Sequence, residues 1–188
     1  MLSALESRGL EPSPEADRLT LARRVSLDLT GLPPSWEEAR EFVEDERSDA
    51  YERYVRRLLQ KPAFGERWAR VWLDLARYAD TIGYAFGGQS NKSPFAWTYR
   101  DWVVQAFHDD LPYNRFVTLQ VAADLITPEV SKKDLAALGF LTVGRTFRGN
   151  IHDIIDDRID LVTRGLMGLS VACARCHDHK YEPVGIDD

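Results

Sequence analysis

This sequence predicts an all-α fold, as a single irregular multi-helix domain that is truncated at both ends. Three observations carry that expectation. Apolar residues recur at helical spacing along most of the chain, the patterned segments are bounded by serine caps and by proline and glycine stops, and no run alternates polar with apolar as a strand does. The 188 residues are enough to bury one full core, so one domain over 1–188 is the default, and 44% hydrophobic with 29% charged residues is ordinary folded composition.

Met1–Arg8 reads as the end of a short amphipathic helix, without the basic start and apolar run of an export signal. Glu15 to Leu29 has Leu19, Ala22, Val25 and Leu29 at helical spacing and stops at Gly31-Leu32-Pro33-Pro34. Ser35-Trp36-Glu37-Glu38 is a capping box, followed by Ala39, Phe42 and Val43 on one face. Asp49 opens a third helix through Leu59, broken by Lys61-Pro62. Phe64, Trp68, Trp72, Leu75 and Ala79 then form a continuous stripe expected to be central to the core. Gly83 to Pro94, rich in glycine, serine and asparagine, reads as a long polar loop. Trp97 to Phe107 and Tyr113 to Leu125 predict a helical hairpin, with Pro112 at a first-turn position. A shorter helix over Lys133 to Phe140 precedes an irregular Leu141 to Gly149. A long helix from Ile151 to Leu169 is expected to lead straight into the cysteines. No internal repeat or linker is visible.

Charge narrows the function classes. With 24 basic and 30 acidic side chains the net charge is -6, which gives no electrostatic footprint for nucleic acid or an anionic membrane. No segment approaches the ~18 consecutive apolar residues of a membrane span. Two cysteines separated by two residues are no disulfide framework, so their role is local.

The conspicuous chemistry is Cys173-Ala174-Arg175-Cys176-His177. In this spacing two thiols add to the vinyl groups of one haem c and the adjacent histidine becomes the proximal iron ligand. A short disulfide, a redox dithiol, or a structural metal held with His177 and His179 competes with that reading; four ligands in seven residues would be cramped for zinc. Candidates for a sixth iron position or a supporting role are Met167 and His179, with His108 and His152 behind them. An apolar hollow beside His177 would favour haem, and a solvent-exposed motif would count against it. Asp153, Asp156, Asp157 and Asp160 share one helix face, read as an arginine-paired surface, with Arg145, Arg148, Arg158 and Arg164 nearby, in preference to a calcium or acid–base site. Asp74, Arg77, Asp80 and Arg100-Asp101 read as paired structural charges. Phosphate loops, nucleophile elbows and zinc-protease helices are absent from the sequence.

Several segments together resemble a known family. They are Arg23 to Pro34 (RRVSLDLTGLPP), Phe64 to Arg70 with Trp72 to Asp80, Tyr99 to Val103, Asp110 to Tyr113 with Arg115-Phe116, and Cys173 to Lys180. Taken in order, they resemble the planctomycete cytochrome C domain 2 family, DUF1549. That resemblance implies a domain of large exported proteins, set beside other cytochrome-like and uncharacterised domains of the same polypeptide, with Cys173, Cys176 and His177 as the haem residues. It also implies an extracytoplasmic location, periplasmic or at the cell surface. The loop Ala85 to Phe95 departs from the family pattern.

The expected function is therefore haem c binding and electron transfer to an unidentified redox partner, with no substrate turnover of its own. A non-redox helical scaffold or interaction module is the alternative, and exposure of Trp97, Tyr99 and Trp102 together would favour it. A metal-dependent hydrolase ranks below both, because it needs Asp156, Asp160, His177 or His179 to converge in one pocket.

Overall fold

A computed structural model describes residues 2–81, 93–126, 130–144 and 150–187. Every regular element among them is helical and none is a strand, as the sequence predicts. The Gly83 to Pro94 loop falls almost wholly outside the described residues, as do Arg145, Arg148 and Gly149. The chain divides into two compact units, Met1–Phe64 and Gly65–Asp188.

In the first unit, α1 (Leu2–Glu6) precedes three longer helices, α2 (Arg18–Thr30), α3 (Trp36–Glu44) and α4 (Ala50–Leu59). The start of α2 is set by Asp17, whose carboxylate accepts the Thr20 N–H at 2.9 Å, so the helix begins later than its apolar pattern. It ends where Gly31 enters the left-handed region at φ 72° and returns its N–H to Leu27. The buried face of α2 is Ala22, Ser26 and Thr30, while Leu19 is exposed. Two hydroxyls can be buried there because each donates to a carbonyl: Ser26 to Leu32 at 2.9 Å and Thr30 to Ser26 at 2.8 Å. Both halves of the predicted capping box form, Glu38 N–H to Ser35 Oγ and Ser35 N–H to the Glu38 carboxylate. Val43 turns outward, leaving Ala39 and Phe42 to meet Ala22, Ala50, Tyr54 and Leu58 in one core, where Phe42 and Tyr54 stack at 4.8 Å.

The second unit is built on α5 (Pro62–Leu75), which has Pro62 at its first position, where a missing N–H costs nothing. The stripe predicted for this helix is off by one position. Its buried residues are Gly65 and Ala69, with Trp72 half-buried and Ala76 buried just past its end, whereas Trp68 is exposed. Small residues win because another helix, α6 (Ala96–His108), passes so close that a Cβ on Gly65 would lie 2.9 Å from the Val104 carbonyl oxygen. The expected hairpin of α6 with α7 (Tyr113–Ala122) is spread by a third element. Both helices pack chiefly on a 3-10 segment, Asp134–Leu141, and meet through Phe116, which stacks on Trp102 at 5.4 Å. Gly139 lets that segment in, since a Cβ there would fall 2.4 Å from Tyr99 Cβ.

Trp72, Tyr99, Phe116 and Phe140 form the centre of this core around the buried Gln120. The Gln120 carbonyl oxygen accepts from Trp72 Nε1 and from the Tyr99 hydroxyl, both at 2.7 Å, and its amide donates to the Phe116 carbonyl at 3.2 Å. No buried polar atom of that trio is left unpaired, as a low-dielectric interior requires. Burial pushes the Tyr99 hydroxyl far above its ordinary range.

Candidate functional site

The site is carried by α8 (Ile151–Val162) and the turns after it. Asn150 caps α8 by accepting the His152 and Asp153 N–H groups. The four aspartates lie on its half-buried side and three arginines hold them: Arg77 bidentate on Asp157 at 2.5 and 2.9 Å, Arg164 on Asp160, and Arg175 on Asp156 at 3.1 Å and Asp153 at 3.4 Å. The arginine-paired reading of this face is therefore right, with Arg164 the expected partner that serves and Arg77 and Arg175 unexpected ones. Arg158 donates to the Leu141 carbonyl instead, and Arg77 and Arg175 come from distant sequence. Ile151, Ile155 and Ile159 stand on the opposite side, 58%, 47% and 50% exposed.

The long helix does not run unbroken to the cysteines. After α8 one π-helical turn, Thr163–Met167, closes at Gly168, whose φ of 70° ends the helix. A short 3-10 turn, Val171–Arg175, then carries the motif. Within it the Cys173 carbonyl accepts from the Cys176 and His177 N–H groups at 3.3 and 3.4 Å, which gathers the three motif residues around one carbonyl. Ala174 is the buried anchor of the turn and Arg175 ties it to α8. Cys173 and Cys176 are free thiols, and both are exposed, as is His177. The motif thus sits in solvent, with its thiols accessible and without the apolar cover the sequence reading looked for.

The two histidines of the motif are used in opposite ways. His177 Nδ1 lies 2.8 Å from the Asp178 carbonyl oxygen. A carbonyl only accepts, so Nδ1 is the donor in this contact, and in the neutral ring the lone pair is then at Nε2. His179 Nδ1 sits instead against two backbone donors, Tyr181 N–H at 3.2 Å and Glu182 N–H at 2.7 Å. It must accept, so in the neutral ring the proton is on Nε2.

Met167 is 61% exposed on the π turn, so it is not core filler. His108 and His152 are exposed, at the end of α6 and the start of α8. Among the described residues no group of three or more His, Cys, Asp or Glu side chains is placed to hold a metal ion. Asp156 and Asp160 are occupied by arginines, so the pocket a metal-dependent hydrolase needs is not assembled. The aromatic cluster is likewise divided. Tyr99 and Trp102 are core residues, although Trp102 shows an edge to an open groove of about 600 Å³ that half-exposed Trp97 lines with Gln105, Lys132 and Lys133. Sequence reasoning missed Arg175 and Asp178 as site residues. They stand inside or beside the motif, but their partners are set by the fold or by a loop closure that no periodicity announces. Among the described residues no helix is long and apolar enough to cross a membrane.

The fold is all-helical and carries Cys173, Cys176 and His177 together on one exposed turn. Residues 1–188 match the family model PSCyt2, described as a protein of unknown function (DUF1549), and the chain belongs to that family. No curated protein and no solved structure matches it.

Proposed function

We propose that this chain is an extracytoplasmic c-type haem domain that carries single electrons, with Cys173 and Cys176 as thioether anchors and His177 as proximal iron ligand. The reading rests on the motif and the family and stands against the exposure of the turn: two free thiols, Cys173 and Cys176, share it with His177, whose Nδ1 lies 2.8 Å from the Asp178 carbonyl oxygen. An iron-bound imidazole needs that arrangement: the outer nitrogen donates to a carbonyl or carboxylate, which fixes the ring and raises the basicity of the ligating nitrogen. When bound, the haem supplies a reversible one-electron couple.

The chain's own residues do the rest. Cys173 and Cys176, both free thiols, would hold the haem by redox-neutral addition of S–H across its two vinyl groups, and His177 would hold its iron. The 3-10 turn holds the thiols and the imidazole in one register, and Arg175 pins the turn to α8. Electrons then pass to a redox partner, and the protein acts as a carrier with no turnover of substrate.

The test is covalent haem content after export from a host that matures c-type cytochromes. Wild type is expected to keep its haem through denaturation and acid–acetone extraction, and Cys173→Ala/Cys176→Ala to lose it. A folded, colourless wild-type protein overturns the reading.

A further inference from the structure

The segment after the motif folds back on itself through side chains of the motif's own tail. Asp178 Oδ1 accepts the Ile186 N–H at 3.0 Å. His179 N–H donates to the Val184 carbonyl at 2.9 Å, and Val184 N–H to the Glu182 carbonyl at 2.8 Å. His179 Nδ1 closes the near side by accepting both the Tyr181 and Glu182 N–H groups. The loop 178–186 is a polar turn with an imidazole where a helix or strand would supply backbone acceptors, and His179 is half-buried at its centre. The peptide joining Asp178 to His179 belongs to that turn. Its carbonyl is the one that receives the His177 Nδ1 proton.

We infer that His179 is a positioning residue for His177: by accepting the Tyr181 and Glu182 N–H groups it holds the 178–186 loop closed, and so fixes the Asp178 carbonyl that sets the His177 tautomer. The inference rests on the haem reading for its purpose, since the residue it serves is the proximal ligand. It also explains why two histidines so close in sequence are not equivalent. His177 has its lone pair outward at Nε2, while His179 spends its lone pair on backbone amides and has only a donor left. His179 therefore orients a ligand and is not one.

Two isosteres separate these roles. Asn places an acceptor oxygen where His has Nδ1, and Gln places one near Nε2. Far-UV circular dichroism of each variant verifies that the helices persist. In the haem-free chain, nitrogen-15 NMR of the His177 ring reads the tautomer directly. Wild type and His179→Asn are expected to hold the Nδ1–H form, whereas His179→Gln and His179→Ala are expected to show a mixture of tautomers. In the haem-loaded ferrous chain, resonance Raman reads the iron–histidine stretch, which responds to the hydrogen bond at Nδ1. It should coincide in wild type and His179→Asn and shift in His179→Ala. An unchanged His177 tautomer in His179→Ala overturns the inference. So does loss of the histidine-ligated spectrum in His179→Asn with retention in His179→Gln, which would make His179 an Nε2 ligand. If wild type takes no haem but His179→Ala still frees the His177 tautomer, the haem reading fails and the positioning role stands.

Discussion

Arg77 occupies a backbone state that suits glycine. Its φ of 57° is left-handed, at the position after α5 where the Tyr78 N–H reaches back to the Leu73 carbonyl and the Arg77 N–H to Asp74, a Schellman closure. For an L side chain that conformation costs ~1–2 kcal/mol. The residue is kept there by its side chain, whose guanidinium is bidentate on Asp157 and lies against Gly144, where a Cβ would come within 3.2 Å of it. Losing a partner from a half-buried charged pair costs more than the strain relieved, because the remaining charge stays desolvated. Arg77→Gly is therefore expected to lower stability by ~1–3 kcal/mol in urea denaturation, although glycine is the better residue for that φ. A stabilised Arg77→Gly would show that backbone strain, not the Asp157 pair, dominates at this corner.

At the scale of the element, α8 inverts the usual amphipathic rule. Its carboxylates lie half-buried under arginines while Ile151, Ile155 and Ile159 face water, and only its C-terminal end, with Leu161, enters the core. The four aspartates were legible from their spacing, and so was their need for cations. Which cations serve was not, because Arg77 lies 80 residues away in sequence and is delivered by the α5 corner. The inversion makes a prediction opposite to what hydrophobicity alone gives. Ile155→Gln should change stability by no more than ~0.5 kcal/mol, as an exposed position does. Asp157→Asn should cost ~1–3 kcal/mol, since it removes the charge from a bidentate pair. Chemical denaturation of both variants decides it, and a larger loss for Ile155→Gln would mean that the isoleucine face is covered in the folded protein.

At the scale of the whole molecule, the shifted carboxylates among the described residues concentrate in one unit. Asp17, Glu38 and Asp45 are held below their ordinary values, and all three lie in Met1–Phe64. For Asp45 the main cause is the hydrogen-bonded Arg47 guanidinium, which takes its carboxyl to about 2. Burial alone would push Glu38 up, but hydrogen bonds from Lys61 and from the Ser35 N–H outweigh it. A carboxyl whose folded value is depressed stabilises the fold above its ordinary value and loses that contribution as pH falls through the folded one. For Glu38 the loss begins below 4.5, and for Asp45 it runs from 3.8 down to about 2. Glu38→Gln should melt lower than wild type at pH 7, and the gap should narrow as pH falls below 4.5. Curves that stay apart at low pH would show that the carboxyl, not its charge, is what α3 needs.

By itself the sequence determined the helical class, most helix positions, the capping box at Ser35, the stop at Gly31 and the candidate motif at 173–177. These are local: spacing, caps and turn residues act within a few positions, so they can be read without knowing the fold. Tertiary structure alone decided which face each helix buries and what each charged or ligating side chain does. It kept Trp72 of the predicted α5 stripe in the core but buried Gly65 and Ala69 in place of Phe64 and Trp68, and at Gly65 the reason is the Val104 carbonyl, too close for a Cβ. It also gave His177 and His179 opposite tautomers, because the loop closing over 178–186 supplies a carbonyl to one ring and two N–H groups to the other. Hydrogen-bond partners far along the chain or across a loop leave no periodic trace in a sequence, and on those partners the chemistry of this site depends.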